Sequence, residues 1–194
     1  MNTSPFTFSS KDASRTDTTT GYVDFLEAKR GAGVLISLFG YNSGAAQFIQ
    51  LFDVRIGAPT LAITSAAGGD AWFEVANHGL LTGDKVRISG ITGIADTRVW
   101  FVKVIQSGEF AIHASLADAL SSTDPQLPTT PSDAGTLNHV PLHTFLIGAG
   151  LNFSVIVPVS GIGFSSGLVA AVSTTGPLYT AGAKEVTMCG TLKS

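Results

Sequence analysis

A single cysteine, Cys189, stands in 194 residues. The chain therefore cannot close an internal disulfide, and nothing points to passage through an oxidising compartment. Beside Met188 in an apolar run, Cys189 is expected to be a small core residue. Charge is scarce as well: Asp, Glu, Lys and Arg make up 13 % of the chain, with none from Ala134 to Ala183 and none between Arg30 and Asp53. No stretch carries a sustained 3.6-residue apolar period with caps, which excludes helical bundles and coiled coils. The start, Met-Asn-Thr-Ser-Pro-Phe, has no basic segment followed by an apolar one, so no secretory leader is read there. A basic surface is missing too. Residues 60–139 hold four Lys/Arg against eight Asp/Glu, net −4, and the remainder seven against six, net +1. Direct nucleic-acid binding is not expected from that balance.

The long charge-free stretch raises the question of a membrane span, which needs roughly twenty largely apolar residues. Asn152, Ser154, Pro158, Ser160, Gly161, Gly163, Ser165 and Ser166 interrupt it, and Phe153, Val155, Val157 and Val159 recur at period two. That is strand periodicity, so no membrane partner is expected.

What is present is β. Glycine is abundant at 22, and Val, Ile, Phe, Thr and Ser fill the runs between turn signals. The clearest segment is Asn77–Gly93, where Val86 and Ile88 alternate with Lys85, Arg87 and Ser89 between Gly/Asp turns. Trp72–Val75, Val99–Ile105 and Glu109–His113 read as further strands around it, followed by a short helical turn at 115–120. Thr123–Asn138, with Pro125, Pro128 and Pro131, reads as an extended return linker. On either side lie more apolar strands, at 33–39, 47–53, 142–147, 152–159, 167–172 and 184–192, and a strand or helical turn at 22–30. Asn42-Ser-Gly44 suits a hairpin or tight connection.

These signals predict an all-β chain: an antiparallel, jelly-roll-like β-sandwich split by an inserted small antiparallel β-barrel. The sandwich is expected over 21–59 and 140–194, the barrel over 60–139, with Pro59 and Pro141 as hinges. Residues 1–20, ten of them Ser or Thr, form an extended N-terminal arm, held either by a neighbouring molecule or by its own domain.

Candidate chemistry is thin. Gly163-Phe-Ser165-Ser-Gly167 matches the nucleophile-elbow pattern, but a β turn rather than a helix is expected after it, and no histidine follows it in the chain. His78, His113, His139 and His143 are scattered, and Pro141 argues against a helical pair at 139 and 143. His78, opening a turn before Gly79, is expected to bond the backbone there. Asp70, Asp84 and Asp96 sit in turns that favour Asp for local hydrogen bonding. No catalytic set, metal site or cofactor is expected, and Trp72 or Trp100 would be the platform if the insert read a glycan.

Two resemblances add to this reading. Phe73-Glu-Val75, Asn77-His-Gly-Leu80, Thr82-Gly-Asp84-Lys-Val86, Ile88-Ser-Gly90, Phe101-Val102, Phe110-Ala-Ile-His113 and Ala117-Asp-Ala-Leu120 resemble a small β-barrel repeat of tailed-phage virion proteins. That repeat is commonly likened to the first catalytic-cysteine half-domain of ubiquitin-activating enzymes. It implies a fold only, because the segment has no cysteine. Gly40-Tyr-Asn-Ser-Gly44, Gln47-Phe-Ile-Gln50, Asn152-Phe-Ser154 and Gly167–Thr175 resemble a short phage structural β-sandwich. Together they imply a non-enzymatic virion protein assembled in the host bacterial cytoplasm, with capsid decoration as the first role. The alternatives are a tail, neck or baseplate part, or a receptor-binding module. Expected partners are other virion proteins (the major capsid protein or tail and neck proteins) and further copies of itself as a homo-oligomer, with the arm lying across an adjacent protein. The residues expected at the assembly interface are Phe6, Phe8, Val34, Ile36, Leu38, Phe48, Ile49, Phe153, Val155 and Val157. The insert's turn is marked by His78, Gly79, Gly83 and Asp84.

Overall fold

A computed structural model describes residues 3–9, 25–55, 59–66, 72–129, 134–176, 179–180 and 186–193. In chain order the elements are β1 (Thr3–Ser9), β2 (Phe25–Arg30), β3 (Gly33–Asn42), β4 (Gln47–Asp53), β5 (Thr60–Ile63), β6 (Ser65–Ala66), β7 (Phe73–Glu74), β8 (Lys85–Ser89), β9 (Trp100–Gln106) and β10 (Glu109–His113). Then come α1 (Leu116–Ser121), β11 (Gly135–His139), β12 (His143–Ile147), β13 (Leu151–Val155), β14 (Ile162–Phe164), β15 (Gly167–Ser173) and β16 (Val186–Lys193). The chain divides into two compact units, residues 1–59 with 141–194, and residues 60–140.

The discontinuous unit is a pair of antiparallel sheets. One runs β1-β16-β3-β13, with β14 also pairing β3; the other runs β12-β4-β15-β2. Counting β1–β4, β12, β13, β15 and β16 as strands one to eight, the sheets run 1-8-3-6 and 5-4-7-2. That is the double Greek key of a jelly roll. Leu35, Leu38, Ile162, Phe164, Val186, Met188 and Leu192 from the first sheet meet Ile49, Leu51, Ile147, Leu168, Ala170 and Val172 from the second in one core. Period-two alternation puts those residues inside: along β16, Val186, Met188, Gly190 and Leu192 are buried while Thr187, Cys189 and Thr191 are not. Cys189, expected in the core, is thus only half buried on the other face.

Asn42-Ser-Gly44 does not close a hairpin. β3 and β4 belong to different sheets, so the turn carries the chain across the sandwich. Buried Asn42 holds that corner: its amide donates to Ala45 O at 2.7 Å and to Gly148 O at 2.9 Å, and its Oδ1 accepts from Gly44 N at 3.1 Å. For the first part of the arm, the alternative of docking on its own domain holds. Residues 3–9 pair with β16 of the same chain along their whole length, from Thr3 opposite Lys193 to Ser9 opposite Thr187. Residues 10–20 lie outside the described residues.

β15 is buried at every position. Its inward residues join the core just described, and its outward Val169 and Ala171 pack with Phe52, Val54 and Tyr179. The segment after β15 closes over that outer face: Gln50 Nε2 donates to Thr175 O and Gly176 O at 3.0 and 2.8 Å, and Ser173 Oγ accepts from Thr180 N at 3.0 Å. A strand covered on both faces reads as a continuous apolar run, which is why this region looked membrane-like in sequence. β13 stops at Val155, four residues short of the expected end. Pro158 lacks the N–H that a ladder needs, and a turn forms there with Gly161 N donating to Pro158 O at 2.7 Å.

The insert is one antiparallel path, β5-β11-β8-β9-β10-β7-β6. The expected barrel is not a closed one, although the two ends of the path, β5 and β6, are successive halves of residues 60–66. Thr64 between them donates its N–H to Glu74 O at 3.0 Å. The expected linker 123–138 is corrected too: its last four residues belong to β11 (Gly135–His139), a full strand between β5 and β8. The core holds Phe73 stacked on Phe110 at 5.5 Å, with Val86, Ile88, Val102, Ile112 and Leu137 around them. Ser115 caps α1, its Oγ accepting from Asp118 N at 3.1 Å.

Candidate functional site

The ten residues expected at an interface do not share one environment. Leu38 and Ile49 are 1 % and 0 % exposed, and both belong to the unit's own core. They are corrected to packing residues: alternation places them inward, and an apolar strand residue in sequence does not say which sheet it meets. Phe153, Val155 and Val157 are half buried against that same core, Val34 and Phe48 are half buried, and Ile36 is exposed. Ile36 is the residue skipped in the β3–β16 ladder, where Thr191 faces Ser37 and Leu192 faces Leu35. Phe6 and Phe8 stand in register with Gly190 and Met188; their side chains lie outside the described residues.

The apolar surface that sequence reasoning missed lies on the same strands, one residue along. Phe39 and Tyr41 alternate with Leu38 and Asn42 on β3 and are 50 % and 45 % exposed on the outer face of the first sheet. Asn152 and Ser154 of β13 flank them on one side, Thr187 and Cys189 of β16 on the other. Beyond β13 the turn 156–161 carries Ile156 and Val159, 94 % and 107 % exposed. Leu146 and Leu151 are exposed nearby in sequence, on β12 and β13. Isolated exposed apolar residues are ordinary; here several fall on or beside the charge-free strands β12 and β13. The signal was available in the alternation of Phe39 and Tyr41 against Leu38; what sequence did not supply was the side that faces inward.

The turn of the insert is structural. Buried His78 accepts Leu80 N–H on Nδ1 at 3.0 Å, so Nε2 carries the proton and donates to Gln106 O at 3.0 Å. Its ring lies edge-on to Phe110, 5.6 Å between centroids. Asp84 Oδ2 accepts Leu81 N–H at 2.7 Å, and Gly79 and Gly83 take φ of 63° and 100°, which a side chain would strain. Every polar atom of the His78 ring is committed to the backbone, leaving none for a ligand.

Ser165 of the Gly-x-Ser-x-Gly stretch donates its hydroxyl to Asp53 Oδ2 at 2.9 Å, and a strand, β15, follows. Its environment is that of a loop anchor and not of a nucleophile elbow. Among the described residues no three His, Cys, Asp or Glu side chains cluster as metal ligands, and no helix is long and apolar enough to cross a membrane. His139, on β11, is lowered from 6.5 to about 4 by burial, with His78 adding to it. A cavity of about 360 Å³ opens beside β9 and β10, lined by Lys103, Val104, Ile105, Ala111, His113 and the loop residues Ser122 and Pro125. His113 Nδ1 donates to Thr123 O at 2.7 Å and so ties that loop to the sheet. The lining carries one charged group and no converging set of polar groups for catalysis. Trp100 is no platform: it is buried, with the Arg98 guanidinium 4.4 Å over its ring, and Trp72 is half buried.

No family model matches the chain, and neither a curated protein nor a solved structure is found to be similar to it.

Proposed function

We propose that the chain is a non-enzymatic structural protein of a tailed-phage particle, decorating the capsid shell as a cement protein through its jelly-roll unit. The observation that carries this reading is the outer face of the first sheet, where Phe39 and Tyr41 of β3 are about half exposed and neither β3 nor its neighbour β13 contains a charge. Burying such a surface is favourable by roughly 25 cal/mol per Å² of apolar area, and a shell of many copies offers the complementary surface. The eight-strand jelly roll recurs in viral capsid domains, and also in lectins and cupins, so the fold alone does not decide between them. Among the described residues no group of three His, Cys, Asp or Glu side chains is placed to hold a metal ion, so cupin-type metal chemistry has no support there. The insert, net −4, serves as an acidic solvent-facing module whose charge favours solubility.

Quantitative protein staining and immunogold labelling of purified particles test the proposal. Copy numbers comparable with those of the shell subunits, with label spread over the head, are expected. Label confined to one vertex at a handful of copies would move the chain to a tail, neck or baseplate role. Absence from purified particles would overturn the virion reading.

A further inference from the structure

The two strand paths of the jelly roll end in four edge strands, beside the three-residue β14 that also lies on β3, and the four are not alike. β1 carries the exposed Pro5, which removes a donor from the strand, and β2 carries Glu27, Lys29 and Arg30. Proline and charge are the devices by which a sheet edge is kept from pairing with another chain. The other two edges, β12 (His-Thr-Phe-Leu-Ile) and β13 (Leu-Asn-Phe-Ser-Val), have neither. β12 pairs only β4 and β13 only β3 among the described strands. They are joined by the short turn 148–150, so both open edges belong to one side of the sandwich. Each sheet thus has one guarded end, and β13 is the longer of the two unguarded strands that lie on β3.

From this asymmetry we infer that β13 is the docking edge for a second copy of this chain, the two β13 strands pairing antiparallel across a two-fold axis. The strand is its own complement. Centred on Phe153, the register sets Leu151 of one copy opposite Val155 of the other, and Asn152 opposite Ser154. Leu151, Phe153 and Val155, on one face of the strand, then meet one another, and Asn152 and Ser154 on the other face meet as hydrogen-bonding amide and hydroxyl. Pairing would join the two first sheets into one continuous sheet and satisfy the backbone groups of β13 that face away from β3. No charged side chain from Ala134 to Ala183 opposes the approach, and the exposed Leu146, Leu151 and Ile156 flank the seam. Such an interface is isologous, using one patch twice. The inference rests on the edges and holds whether or not the protein belongs to a particle.

The test is analytical ultracentrifugation of the full chain with two double variants, Asn152→Lys/Ser154→Lys and Asn152→Glu/Ser154→Glu. All four substitutions fall on exposed outer positions, and far-UV circular dichroism confirms the fold of each. Wild type is expected to sediment as a dimer of a 20.0 kDa chain. Each variant alone sets like charges directly opposite across the axis and should weaken the dimer by on the order of 100-fold. Mixed in equal amounts, the two should recover it, the lysines of one strand facing the glutamates of the other. A monomeric wild type, or a wild-type dimer that both variants leave intact, overturns the inference. If one variant loses its fold, the sedimentation of the other still decides.

Discussion

Asp53 and Ser165 are joined by two hydrogen bonds across 112 residues of sequence: Ser165 N donates to Asp53 Oδ2 at 2.7 Å and its hydroxyl to the same oxygen at 2.9 Å. The other carboxylate oxygen accepts Ser166 N at 2.7 Å and Gly167 N at 3.2 Å. One side chain at the end of β4 thus gathers three successive backbone N–H groups and a hydroxyl, fixing the turn where β14 leaves the first sheet and β15 enters the second.

That geometry gives unequal costs for the two partners. Asp53→Ala leaves three backbone donors without their acceptor and should lower unfolding stability by about 2 kcal/mol. Ser165→Ala removes one hydroxyl and keeps the backbone bonds, so about 1 kcal/mol or less is expected. Urea denaturation midpoints compare them. A Ser165→Ala loss equal to that of Asp53→Ala would mean that the hydroxyl, and not the backbone cluster, holds the turn.

Acid should weaken the insert through His139. Its folded pKa of about 4 lies below the ordinary 6.5, so between those values the unfolded chain binds a proton that the folded one refuses. Stability from this group is fully present above about pH 6.5 and falls as pH drops towards 4, by about 3 kcal/mol in total. His139→Gln should flatten that window. Melting curves taken from pH 7 down to pH 4 check it, and an unchanged slope in the variant would assign the acid sensitivity elsewhere.

Gly40 shows how tightly the first sheet is filled. It sits on β3 between β16 and β13, and a Cβ there would run into Thr187 O, with Phe153 Cζ 2.7 Å and Met188 Cα 2.9 Å away. Two of those atoms are backbone and cannot rotate aside. Gly40→Ala is expected to cost about 3 kcal/mol, while Ala at Gly163, where a Cβ meets nothing within 4 Å, should be nearly neutral. Parallel thermal melts of the two variants measure the difference.

What could be read from sequence was local. Val86 and Ile88 against Lys85 and Arg87, the His78–Asp84 turn and the short helix within 115–121 each depend on neighbours a few residues away, and each lies where the pattern put it. The sheet a strand joins depends on partners far off. Asn42-Ser-Gly44 has the composition of a hairpin, yet its strands separate because Leu38 and Ile49 meet across the core and not side by side in one sheet. β11 was hidden behind Pro125, Pro128 and Pro131, all of which precede the strand itself. Leu38 and Ile49 could not be placed inward from sequence for the same reason: Leu38 and Phe39 are equally apolar, and only the opposite sheet decides which of them is buried.

That last pair supplies a test that separates folding from function. Phe39 and Tyr41 are half exposed on the outer face of the first sheet, so Phe39→Ser with Tyr41→Ser should shift unfolding stability by only about 0.5 kcal/mol. Leu38→Ala, one residue away, empties a fully packed site and should cost about 3 kcal/mol. If the outer face of the first sheet is the surface that meets the shell, the double serine variant folds normally and no longer co-sediments with particles stripped of the native protein. Leu38→Ala, at a temperature where it remains folded, still binds. Normal binding by the double serine variant would move the docking surface off this face.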